Sequence, residues 1–180
     1  MRLEIDDSSL SASFVARIAG LRQEGELKPL GPDDVSALSM GPRDVLETVL
    51  CAFQGAGSDG CYEGCRVMLC FAQEFEGDRP VDSLGRLRPG AFVSASAFED
   101  YLRSEPRYRA LAVLAEWKPM GAPETSGHGH AAAQKLLVRR DGANWEQMYL
   151  NMELRGTGEK RRWLVMSIYK HDFDKGSIGR

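Results

Sequence analysis

Trp145-Glu-Gln-Met-Tyr-Leu-Asn-Met-Glu-Leu154 is the stretch on which the fold turns, because its side chains alternate in chemistry with a period of two. Met148, Leu150, Met152 and Leu154 fall on one side, and Gln147, Tyr149, Asn151 and Glu153 on the other. A strand sends consecutive side chains to opposite faces, so this pattern predicts a strand with one dry face and one wet face. That is the signature of an antiparallel sheet covered on one side only.

The neighbouring segments extend the pattern. Upstream, Gln134 to Arg140 reads as a strand that ends in the turn Asp141-Gly142. Downstream, Gly156-Thr157-Gly158 leads into Arg162 to Tyr169, a β-rich run. Segments separated by such turns make consecutive hairpins, hence a β-meander. Leu111 to Trp117, stopped by Pro119, is expected as its first strand.

Before the meander the period is helical. Gly41-Pro42-Arg43-Asp44 starts a helix whose apolar face is Val45, Leu46, Val49, Leu50 and Phe53, with Gly55-Ala56-Gly57 at its end. Proline suits the first turn because its missing N–H has no intrahelical partner there, and Asp44 sits at the positive end of the helix dipole. A second helix is expected from about Tyr62 to Phe75, with Val67, Met68, Phe71 and Phe75 as core positions. Ser94 or Ser96 caps a third, which carries Phe98, Tyr101 and Leu102 and stops before Pro106. An earlier stripe of Phe14, Val15, Ile18 and Leu21 predicts an amphipathic helix over Ser11 to Gly25, in an arm that docks on the domain or on a partner. Helices first and strands after give an α+β domain. The expected organisation is an N-terminal arm over 1–39, the α+β domain over 40–173 and a flexible tail over 174–180.

Composition narrows the function classes. A chain of 180 residues is long enough to bury a core without disulfides or metal. Its net charge of −3 argues against a general nucleic-acid binder. The basic clusters Arg139-Arg140 and Lys160-Arg161-Arg162 flank strands and read as solvated edges. Cys51, Cys61, Cys65 and Cys70 are confined to one stretch, which suits reduced thiols in an intracellular compartment, cytoplasm or plastid stroma. No apolar run reaches the roughly 20 residues that span a bilayer. The early acids Glu4, Asp6 and Asp7 oppose a secretory signal or a transit peptide at this position.

The order of a proline-started helix, a short second helix, a third helix ending in "FEDYLRSEPRYRALA" and a meander finishing on "RWLVMSIY" resembles the nuclear-transport-factor-2-like superfamily. The stretches "GPRDVLETVLCAFQ", "KLLVRR" and "WLVMSIY" are similar to plant and algal members, including the domain that follows the F-box of some plant F-box proteins. The resemblance spans roughly Met40 to Phe173 and implies helices packed on a strongly curved antiparallel sheet, a cone or cystatin-like roll. Enzymes of that superfamily keep an Asp, Tyr or His pair inside the cone. Here the first helix presents Val45, Val49, Cys51 and Phe53, and the cone-facing strand residues are Met and Leu. General acid–base catalysis needs a titratable group within hydrogen-bond reach of substrate, so this lining weighs against an enzyme.

Four candidate sites remain. Cys61 and Cys65, with Cys70, share a helical face, but their spacing is not that of a structural zinc knuckle and no spaced histidine pair accompanies them. They read as core or surface thiols, and no metal or cofactor is assigned. His128 and His130, with Glu124, fall in a glycine-rich connection that holds ligands poorly and reads as a mobile solvated loop. Met68, Phe71, Met148, Met152 and Met166 are either ordinary core or the lining of an adaptable pocket for a small apolar ligand. Tyr149, Asn151 and Glu153, with Trp163, Tyr169 and His171, form a polar-aromatic face of the kind that dominates protein contacts. The leading expectation is a non-catalytic interaction module or assembly subunit, binding a protein partner or a second copy through that face, without nucleic acid or a membrane span. The alternative is a binder of small hydrophobic ligands, or an isomerase- or dehydratase-like enzyme using the cone.

Overall fold

The computed structural model describes residues 40–55, 60–75 and 79–170. The N-terminal arm over 1–39 with its expected helix, the tail over 174–180 and His171 lie outside the described residues.

Helix α1 (Pro42–Phe53) forms where expected and buries Val45, Leu46, Val49, Leu50 and Phe53. Its start is held by the Gly41 N–H, which donates to Asp44 Oδ2 at 2.7 Å. Helix α2 (Gly60–Phe71) crosses it closely at Gly64, where an added Cβ would sit 2.2 Å from Cγ of Phe53. The absence of a side chain is what lets the two helices meet. Phe75, expected in the core, lies past the end of α2; it is exposed, with the Arg88 guanidinium 4.2 Å over its ring. Helix α3 (Ala95–Ser104) is capped by Ser94, whose Oγ accepts from the Ala97 N–H at 3.2 Å.

One expectation fails between Arg109 and Val113. A single helical turn, α4 (Arg109–Ala112), replaces the start of the expected strand. Ala110, Leu111, Ala112 and Leu114 are all buried, so this run carries no period, and a short apolar run reads alike as buried helix or buried strand. The strand begins only at β1 (Glu116–Pro119).

The sheet is antiparallel and five-stranded, completed by β2 (Glu124–Thr125), β3 (Ala131–Arg139), β4 (Glu146–Arg155) and β5 (Arg162–Lys170). Its order is β1-β3-β4-β5, with β2 pairing on β3 beside β1. The architecture is therefore α+β; the sheet is not strongly curled, unlike the cone expected from the resemblance. Beyond β5, Leu87 exchanges backbone hydrogen bonds with Ile168 at 2.7 and 2.8 Å, so the connection between α2 and α3 continues the sheet.

Burial follows the alternation in β3 and β4, whereas in β5 Leu164 and Ser167, opposite Glu153 and Asn151 on the other face, are buried as well. Ala132, Gln134, Leu136 and Val138 of β3, Met148, Leu150 and Met152 of β4, and Val165 and Ile168 of β5 point toward the helices. The apolar ones join the buried apolar residues of the four described helices in one cluster. The register of β4 with β5 slips at one point. Asn151 faces Ser167 but Met152 faces Val165, so Met166 is an extra residue, a β-bulge.

Tyr108 ties the layers together. It is 1% exposed, and its hydroxyl donates to the Gly85 carbonyl at 2.8 Å, with the Ile168 carbonyl at 3.4 Å. Burial, against the opposing pull of the Arg107 charge, pushes its phenol up to about 12. A raised folded-state value means its contribution is complete below the ordinary tyrosine value near 10 and is lost as pH rises through about 12. Tyr108→Phe is expected to cost about 1 kcal/mol at neutral pH. Urea midpoints taken between about pH 8 and about pH 12 should fall less steeply in the variant than in the wild type. Gly64→Ala is expected to destabilise by about 1–3 kcal/mol in chemical denaturation, with part of the loss relieved in a Phe53→Leu background.

Candidate interaction face

The residues expected to line a ligand pocket separate into two places. Met68, Phe71, Met148 and Met152 are at most 2% exposed and belong to the core cluster. Met166, the bulge residue, sits on the opposite side of the sheet with Asn151, Glu153 and Ser167. The bulge is the reason for the split, because an extra residue inverts the alternation of one strand relative to its neighbour.

The same bulge moves Trp163. It pairs with Leu154 on the core side and packs against the core cluster, instead of joining Tyr149, Asn151 and Glu153. Those three do share the outer face, together with Tyr169. Tyr149 and Tyr169 are cross-strand partners with ring centroids 6.2 Å apart. Asn151 Nδ2 donates to Ser167 Oγ at 3.0 Å, and Gln147 Nε2 donates to the Tyr149 hydroxyl at 2.8 Å. Glu153 pairs with Arg155.

The structure adds residues that the sequence reading left out. Lys135 Nζ lies 5.5 Å from the Tyr149 ring, and the Arg107 guanidinium 5.6 Å from that of Tyr169. Trp145 has both Lys118 and Arg139 over its ring, each at 4.6 Å. Arg139 also reaches Glu116 at 2.5 Å, and Arg107 Nη2 donates to the Lys170 carbonyl at 3.0 Å. A signal for part of this lay in β3, where Lys135, Leu137 and Arg139 alternate with the buried Leu136 and Val138. The cation–ring pairs themselves cross strands, so no local spacing announces them. At the other end of the face is a trough of about 600 Å3, floored by Ala131, Ala133 and Asn151, with Arg86 and Arg88 along one side and Glu124 along another. Asp82 holds that first side. Burial pushes its carboxyl up, but hydrogen bonds from the Arg86 and Leu84 amides and the Arg86 guanidinium outweigh this and leave it below its ordinary value.

The remaining candidates are placed as follows. Cys61 and Cys65 lie one turn apart on the buried face of α2, while Cys51 is exposed and Cys70 half-buried; all four are reduced thiols. A hydrogen bond from Cys65 lowers Cys61 against the effect of burial, and the same contact, with burial, pushes Cys65 well up. His128 and His130 are exposed in the turn between β2 and β3. Glu124 and Thr125 pair with Ala133 and Ala132, and the Ser126 N–H donates to the Ala131 carbonyl at 2.8 Å. Among the described residues no group of three or more His, Cys, Asp or Glu could hold a metal ion, and no helix is long and apolar enough to cross a membrane.

No family model, curated protein or solved structure matches the chain. The chemistry of the thiols is open to a direct check. Because a reagent must reach the sulfur, access decides the order here: added to the native protein, a thiol reagent is expected to label Cys51 and Cys70 first, although burial of its sulfur and the Glu47 charge push the Cys51 thiol up. Cys61 and Cys65 should react only at the rate of unfolding, and mass mapping of the labelled peptides against time distinguishes the two pairs.

Proposed function

We propose that this chain is a non-catalytic interaction module or assembly subunit that binds a protein partner, or a second copy of itself, through the outer face of its sheet. The observation that carries this reading is the segregation of the two faces. Among the described residues the helices bury most of their apolar side chains with the core side of the sheet, Tyr62 of α2 being exposed, and none of Tyr149, Tyr169, Asn151 or Glu153 belongs to that cluster. Tyr and Trp at half-buried positions are the side chains that concentrate binding energy in protein contacts. On the other side, Met68, Phe71, Met148 and Met152 fill the region between helices and sheet, where an enzyme of the resembled superfamily would hold its acid–base pair.

The likeness to the nuclear-transport-factor-2-like superfamily belongs to this proposal. Element order supports it: helices first, a long meander after, and a segment between α2 and α3 that returns to the last strand through Leu87 and Ile168. Four reduced cysteines fit a reducing, intracellular setting.

Light scattering on the purified protein, with a pull-down under the same conditions, tests the proposal. A dimer or a captured partner is expected, and Tyr149→Ala with Tyr169→Ala should abolish it while changing unfolding stability by less than about 1 kcal/mol. A monomer that captures nothing, or a contact indifferent to both tyrosines, overturns it.

A further inference from the structure

The outer face is not uniform in charge, and its asymmetry bears on which partner fits. Cross-strand pairing sets the cationic end in rows: Glu116 opposite Arg139, Lys118 opposite Leu137, and Lys135 opposite Tyr149, which in turn faces Tyr169. Along β3 the outward residues are therefore Lys135, Leu137 and Arg139, a cation, an apolar side chain and a cation at steps of roughly 7 Å. Lys118 and Lys135 have no carboxylate partner among the described residues, and Glu116 is the carboxylate within these rows. A local positive surplus thus sits on a chain whose net charge is −3.

We infer that this end of the face, built from Lys118, Lys135, Leu137 and Arg139, receives an acidic peptide segment of a partner protein, with carboxylates flanking an apolar residue. The inference rests on the outer-face reading above and chooses between its two occupants. In a two-fold dimer whose axis passes through this patch, cations would be brought against cations, and like-charge juxtaposition disfavours that arrangement. An acidic segment instead completes the pairs that Lys118 and Lys135 lack. A single-stranded nucleic acid is a worse match than a peptide. Such strands bind by stacking bases on open aromatic rings, whereas Trp145, Tyr149 and Tyr169 each already meet a cation at the ring. The patch presents held cations, not bare rings. Cations held this way suit carboxylates, since the ring beneath each limits the conformational freedom lost on binding.

The test uses fluorescence anisotropy with a labelled peptide of about 15 residues made of Glu, Gly and Leu, and a counterpart with Lys for Glu. A single-stranded oligo-dT serves as a third probe, and light scattering runs in parallel. The acidic peptide is expected to bind, the basic one to fail, and affinity to drop as salt screens the contact. A Lys118→Glu, Lys135→Glu double variant should weaken binding by about tenfold or more while lowering the thermal midpoint by no more than about a few degrees, because both side chains lie outside the core and only their ring contacts are lost. Failure of the acidic peptide to bind, tighter binding of oligo-dT, or a dimer that the double variant disperses would each overturn the inference. A dimer dispersed by Tyr149→Ala as well leaves the outer-face reading standing. The wider reading falls as well when the protein captures nothing and stays a monomer, or when every measured association is indifferent to the two tyrosine variants.

Discussion

The structure depends on burying one face of the β3–β4–β5 meander beneath its helices. Leu136, Met148, Leu150 and Ile168 are each at most 1% exposed, and full burial of such a side chain contributes about 1.5–3 kcal/mol. A cation over a half-buried ring contributes about 0.5–1 kcal/mol. The core side therefore drives folding, and the outer side is free to carry chemistry that packing does not require. That asymmetry, more than any one residue, makes the outer face the place where function resides in the proposed reading.

The edges of the sheet point the same way. Beyond β5, Leu87 pairs with Ile168, and the Gln73 N–H donates to the Val165 carbonyl at 3.0 Å, so that edge is occupied. On the other side β1 is only four residues long and ends in Pro119, which has no N–H to offer a further strand. Short strands and prolines are the usual means by which proteins discourage edge-to-edge pairing. Association through side chains on the face is thus more consistent with this sheet than addition of a strand.

One extra residue, Met166, decides the membership of that face. Side chains alternate with a period of two, so a single inserted residue exchanges inside for outside along the rest of a strand. Val165 is completely buried and Trp163 packs on the core, while Tyr169, on the far side of the bulge, stays outside with Tyr149. Without the bulge, Trp163, Val165 and Tyr169 would share one face. A large apolar ring would then be exposed and a valine lost from the core.

Much of this was legible in the residues themselves. The helix from Pro42 and its five buried positions, the Ser94 cap, the alternation of β4 and the turn at Asp141-Gly142 all follow from local physics: dipole, hydrogen-bond satisfaction and a side-chain period that the sequence displays directly. Tyr149, Asn151 and Glu153 could be assigned to the wet face for the same reason. What tertiary structure alone decided was long-range. Whether Arg109–Ala112 coils or extends depends on what surrounds Ala110, Leu111 and Ala112, an apolar run too short to show a period. The side on which Trp163 lies depends on a bulge defined only against β4. The cations over Trp145, Tyr149 and Tyr169 come from other strands and from the Arg107 segment. Sequence by itself determined which strand has two faces; the register between strands, which no local pattern encodes, determined what stands on them.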